Sequence, residues 1–168
     1  MNVANYFRFD VINGIGIRHS LFVSGCRHRC KNCFNKQAWD FNYGVHYDKE
    51  LENKILKDLQ LPNIHIDGLS VLGGEPFEKE NIPYVLSLIK KVKQIPNKTV
   101  WCWSGYTFEE ILIDKNKKEM LYYIDVLIDG KFEEDKKDSK LLFRGSSNQR
   151  IIDVVNSLKF NKVIIKDL

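Results

Sequence analysis

Short apolar runs that close on glycine alternate along the chain with longer stretches of helical period. HSLFVSG (19–25), GLSVLGG (68–74), TVWCWSG (99–105) and IDVLIDG (124–130) each read as a strand feeding a loop. KVIIK (162–166) reads as a fifth strand. Between the first and second runs, Leu51, Ile55 and Leu59 recur every fourth residue. Between the second and third, Ile82, Val85, Leu86, Ile89 and Val92 form a 3.6-residue stripe. Both segments read as crossover helices. Thr107 and Glu110 have the spacing of a capping box and start a third helix, running toward Tyr122. The resulting βαβαβαβ order predicts a mostly parallel sheet with right-handed crossovers. A closed eight-stranded barrel typically needs about 250 residues, so the expected α/β fold is an open partial (β/α) barrel of about five mostly parallel strands. Residues 130–150 are the most loop-like segment, and 149–159 fit a strand or a helix equally well.

Composition narrows the class. With 168 residues, 43% of them hydrophobic, the chain can build one core, and a single domain spanning 1–168 is expected. The opening MNVANYFRFD has no apolar stretch of signal-peptide length, and no run approaches a membrane span, which predicts a soluble, cytosolic protein. Against 22 acidic residues stand 26 basic ones, interspersed, so the charge makes no demand for nucleic acid. Lys90–Lys93 lies on the second helix and reads as its solvated face.

Four cysteines, three of them clustered, do not make a distributed disulfide framework. Cys26, Cys30 and Cys33 follow the first strand with C-x3-C-x2-C spacing, which wraps a short loop around one centre. In parallel α/β folds chemistry collects beyond the C-terminal ends of the strands, where this loop lies. A structural zinc site wants four ligands, usually two paired sets; no second pair exists, though His28 could complete one. A basic zinc knuckle on nucleic acid is therefore one reading. An iron–sulfur cubane held by three thiolates, with one iron open, is another. Cys102 lies between Trp101 and Trp103 in an apolar strand and reads as a packing thiol. The four histidines have no metal-ligand spacing among themselves. GGEP (73–76) alone is ordinary turn punctuation.

Taken in order, C-x3-C-x2-C after the first strand and GGEP after the second resemble the radical S-adenosylmethionine enzymes. FVSGCRHRCKNCFNKQAW, LSVLGGEPF, VWCWSGYTFEE, YIDVLIDGKFE and RGSSNQRIIDV together resemble the activating proteins of anaerobic (class III) ribonucleotide reductases, across nearly the whole chain. The resemblance implies that Cys26, Cys30 and Cys33 hold a 4Fe–4S cluster whose fourth iron binds the methionine group of S-adenosylmethionine. Asn32, Cys33 and Phe34 would contact that cofactor, as would Gly73, Gly74, Glu75 and Ser104. Asp129 and Lys131 are weaker candidates. Reductive cleavage would give methionine and a 5′-deoxyadenosyl radical that takes hydrogen from a glycine of the reductase large subunit. A reductant such as flavodoxin would supply the electron. The segment 130–150, with Lys131, Arg144 and Arg150, is the expected docking surface. A radical enzyme acting on a small nucleoside-like molecule is the alternative.

Overall fold

A computed structural model describes residues 1–168. Its one mixed sheet has seven strands in the order β3-β1-β2-β4-β5-β6-β7. Four of them, β2 (Arg18–Val23), β4 (Gly68–Gly73), β5 (Thr99–Trp103) and β6 (Val126–Asp129), are the predicted glycine-ended runs and pair in parallel. The expected fifth strand is not one: in 162–166 only Ile165 makes a lone bridge, to Ile152. Three antiparallel strands flank the parallel block instead: β1 (Asn2–Asp10), β3 (Val45–His46) and β7 (Arg150–Asp153). The sheet is thus larger and more mixed than expected. In β1 two register shifts, between Val3 and Asn5 and between Phe7 and Asp10, break the alternation by which a strand is recognised.

The helices follow the stripes. α1 (Lys49–Asp58) is capped by Asp48, which accepts from the Leu51 amide. α2 (Ile82–Val92) buries Ile82, Val85, Leu88, Ile89 and Val92. The Thr107 capping box forms as predicted, but the helix behind it stops early. Asp114 takes an extended conformation and its carboxylate caps a new helix, so α3 (Phe108–Ile113) and α4 (Lys115–Leu121) replace one long element. The ambiguous 149–159 segment contains both forms: β7, then α5 (Val154–Phe160), with Asp153 capping the helix. No helix is long and apolar enough to cross a membrane.

Most buried apolar side chains form one cluster between the sheet and its helices, including Leu21, Leu69, Val71, Cys102 and Leu127. The other sheet face carries Trp101, Val126, Ile128 and Ile151, partly covered by Phe143. At the start of β2 the buried Arg18 guanidinium donates to Ser70 Oγ, Thr99 Oγ1, and the carbonyls of Leu69 and Thr99. It also supports the loop NGIGIR (13–18) that leads into β2: a Cβ on Gly14 would come within 2.8 Å of Arg18 Cδ. This satisfied cation fixes the end of the sheet where the parallel strands begin, leaving chemistry to the other end.

Candidate functional site

At their C-terminal ends the four parallel strands open into a cleft of about 120 Å³. Cys26, Cys30 and Cys33 line it, with Gly73, Gly74 and Glu75 from the loop after β4. Ser104 and Gly105, following β5, line it too, as do Phe132 and Gln149 from the β6–β7 connection. The three loop thiols are free and half-buried, whereas Cys102 is buried in the helix-side core. No three His, Cys, Asp or Glu side chains come close enough to one point to hold a single metal ion. A cubane makes a different demand, because each thiolate binds a separate iron and the three must stand apart. The three separated loop thiols fit a cluster better than a tetrahedral zinc ion.

The cysteine loop is held from below by Glu75. One carboxylate oxygen accepts from the Phe77 amide (2.9 Å) and Ser104 Oγ (2.9 Å). The other accepts from the Gly105 amide (2.7 Å) and pairs with His28 Nε2 (2.8 Å). Four partners satisfy a buried carboxylate and join the β4 loop, the β5 loop and the cysteine loop. His28 also packs edge-on against Tyr106, with ring centroids 4.5 Å apart. Gly105 leaves room for it, since a Cβ there would lie 2.4 Å from His28 Cδ2. Arg27 adds a second tie: its amide and guanidinium both reach Glu78, and the guanidinium also reaches Glu80. Buried Asn81 donates to the carbonyls of Ser24 and Glu75.

The predicted cofactor residues occupy this rim unequally. Gly74 packs against the chain itself, because a Cβ would lie 2.6 Å from Gly25 O and 2.8 Å from Ala38 O. The Gly74 and Glu75 amides already donate to Val23 O and Gly25 O. Ser104 turns its hydroxyl to Glu75, and Glu75 faces its own protein partners. Asn32 is exposed in a left-handed conformation, φ 56°. Phe34 borders the cleft with 87% of its surface exposed, so a planar ligand stacked there would bury a large apolar face. Asp129 is committed elsewhere, to the Phe108 amide and the Arg150 guanidinium. Arg150 also pairs with Glu109, and Arg144 donates to Gln149 O, so both arginines turn inward while Lys131 stays exposed.

Burial pushes the Cys26 thiol up to about 12. The Cys30 thiol is raised by burial too, against the opposing pull of the Phe132 amide and the Lys131 ammonium. Bound iron would offset this penalty by stabilising the thiolates directly. His28, Asn81, Phe132 and Gln149 escaped the sequence reading as structural members of the site. Of these, His28 lies inside C-x3-C, Phe132 inside YIDVLIDGKFE and Gln149 inside RGSSNQR, so only Asn81 stood outside the stretches that had drawn notice.

Residues 12–152 match the family model described as a 4Fe-4S single cluster domain. A protein from Pasteurella multocida is 46% identical over 152 residues, covering 90% of this chain and 96% of its own length. One from Haemophilus influenzae is 45% identical, with 90% and 97% covered. A third, from Enterobacteria phage T4, is 38% identical over 156 residues, with 90% and 93% covered. Each of the three bears the name anaerobic ribonucleoside-triphosphate reductase-activating protein. Joined to a cleft where three free thiols face a Gly-Gly-Glu-Pro turn, these matches show that the chain belongs to the family of anaerobic ribonucleoside-triphosphate reductase-activating proteins.

Proposed function

We propose that this chain acts, as one domain over 1–168, as a glycyl-radical activase of an anaerobic ribonucleoside-triphosphate reductase. The carrying observation is the sharing of one cleft by Cys26, Cys30, Cys33 and the Gly73–Glu75 turn, with the fourth cysteine buried in the core between the sheet and its helices. In this reading the three thiolates hold a 4Fe–4S cluster. S-adenosylmethionine lies against Gly73, Gly74, Glu75 and Ser104, and Asn32, Cys33 and Phe34 contact its adenine. When bound, the pair supplies one-electron cleavage to methionine and a 5′-deoxyadenosyl radical, which takes the Cα hydrogen of a reductase glycine. The chain's own contribution is to orient and to shield. Glu75 and His28 fix the cysteine loop over the turn, and Trp103, Phe132 and Trp39 make the cleft wall apolar.

The sheet serves as an open partial barrel whose missing units leave a lateral entrance for a protein loop. Segment 130–150 borders it, and the exposed Lys131, rather than the inward Arg144 and Arg150, is the charge offered to the partner. A cytosolic setting with a low-potential donor such as flavodoxin suits thiols that must stay reduced. Mixing the chain with the reductase large subunit, S-adenosylmethionine and reductant without oxygen tests the proposal. A carbon-centred glycyl doublet in the electron paramagnetic resonance spectrum is expected, absent when the reductase glycine is replaced and weaker with Lys131→Glu. Consumption of a nucleoside-like small molecule, with the reductase radical-free, would overturn it.

A further inference from the structure

The chain's positive excess gathers on the loop that carries the thiols. Residues 26–40 hold Arg27, Arg29, Lys31 and Lys36 against the single acid Asp40, which places three of the chain's net four positive charges in this one segment. All four cations are exposed. Arg27 meets Glu78 and Glu80, whereas Arg29, Lys31 and Lys36 enter no ion pair. By contrast, residues 131–140, in the segment proposed to meet the reductase, balance four cations with four acids. Packing brings the loop's cations together. The Gly25 and Cys26 amides donate to Ala38 O (2.8 Å) and Trp39 O (3.3 Å), which lays the loop along the 3₁₀ turn Lys36–Trp39. The Arg29 guanidinium stands over the Trp39 ring, 5.7 Å from its centroid. Side chains three apart in a 3₁₀ turn eclipse one another, so Lys36 falls on the same side as Trp39. Trp39 itself lines the cleft with the three cysteines, so this basic face borders the thiols.

We propose that this face is the docking surface for the electron donor, a protein that presents an acidic patch around a one-electron redox centre. The proposal rests on the reading of Cys26, Cys30 and Cys33 as cluster ligands. In that reading S-adenosylmethionine and the reductase loop occupy the cleft, which leaves the outer side of the cysteine loop as the approach to the cluster. One electron leaves the donor, oxidising it by one unit, and enters the cluster, reducing it by one; no bond or proton moves with it. Unpaired cations on an exposed rim speed encounter with an acidic partner more than they tighten the complex, which suits a donor that must deliver and depart. A nucleic-acid strand would need open aromatic faces beside the charge. Here Arg27 lies over Phe41 and Arg29 over Trp39, which leaves Phe34 alone at the cleft rim.

The triple variant Arg29→Glu, Lys31→Glu, Lys36→Glu reverses the face and leaves the thiols in place. In loaded protein, stopped-flow reduction of the cluster by reduced flavodoxin should slow by roughly tenfold or more at low ionic strength, and the gap should narrow in salt of about 0.5 M. Reduction by photoreduced 5-deazariboflavin, a small uncharged donor, should keep its wild-type rate. Oxidised flavodoxin titrated into apo protein should lose affinity in the same variant. A flavodoxin rate that is unchanged and independent of salt, or an equal slowing with the small donor, would overturn the docking surface. So would a wild-type chain that binds a single-stranded oligonucleotide more tightly than flavodoxin, or a variant that keeps its flavodoxin rate and loses the reductase large subunit instead. Should the triple variant not fold or not load iron, Lys31→Glu with Lys36→Glu, which keeps Arg29 on Trp39, decides by the same comparison of donors. Wild-type protein that takes up no cluster would overturn the reading of the site, while flavodoxin binding to apo protein still decides for or against the face.

Discussion

The cleft is held on two sides by ties of different kinds. Beneath the cysteine loop, Glu75 is buried and meets two donors on each oxygen, while the exposed Arg27 adds only a surface tie to Glu78 and Glu80. On the cleft's other side, Gln149 and Asn148 are half-buried amides that hold neutral backbone groups. Charge-assisted bonds in a dry setting are worth about twice their neutral counterparts and are costly to break singly, whereas neutral amide bonds near solvent contribute about 1 kcal/mol each and reopen. The chain therefore makes rigid the relation between the three thiols and the GGEP turn, which the proposed cofactor pair needs fixed, and leaves exchangeable the side on which the partner is proposed to dock.

The largest effect should come from breaking the rigid grip. Glu75→Gln turns an amide NH2 toward either the Phe77 and Ser104 donors or the Gly105 and His28 side. Unfolding in urea should show a loss of about 3 kcal/mol, together with poor iron retention after anaerobic reconstitution. His28→Ala should cost less, about 2 kcal/mol, because Gly105 still serves the same carboxylate oxygen while a cavity opens beside Tyr106. A stability equal to wild type in both variants would erase the contrast between the two grips.

Glu109→Gln probes the ion pair that ties Arg150 and β7 to α3. Arg150 holds the Glu109 carboxyl below its usual range, against the opposing effect of burial. A depressed folded value stabilises the protein above the unfolded carboxyl range, and the gain is lost as pH falls through the folded value. The pair is solvent-exposed, so the variant should lose no more than about 0.5 kcal/mol at neutral pH. The difference from wild type should begin to shrink as pH falls to about 4, near the unfolded value, and vanish only below the depressed folded value, which paired thermal melts across pH would show.

What the sequence revealed follows from how local each signal is. The glycine-ended strands, the α2 stripe, the Thr107–Glu110 box and the C-x3-C-x2-C loop are complete within a dozen residues, and the fold keeps them. The β1 strand was hidden because its bulges shift the side-chain alternation. The break at Asp114 was hidden because a carboxylate capping its own downstream amides looks, in sequence, like another polar helix position. The partners of His28 lie 47 residues away at Glu75, and Gln149 reaches Gly130 across 19, so their roles exist only once β4, β5 and β6 stand side by side. Even Gly74, legible as a glycine for close approach of a ligand, is first a glycine that Gly25 and Ala38 need.

In the proposed reading one cluster stands on the three loop thiols while Cys102 merely packs. Anaerobic reconstitution of the four single Cys→Ala variants, followed by iron and sulfide analysis and electron paramagnetic resonance of the reduced protein, tests it directly. Loss of the four-iron signal is expected for Cys26→Ala, Cys30→Ala and Cys33→Ala, with wild-type iron content in Cys102→Ala. A normal four-iron cluster in any loop variant, or its disappearance only in Cys102→Ala, would contradict the account.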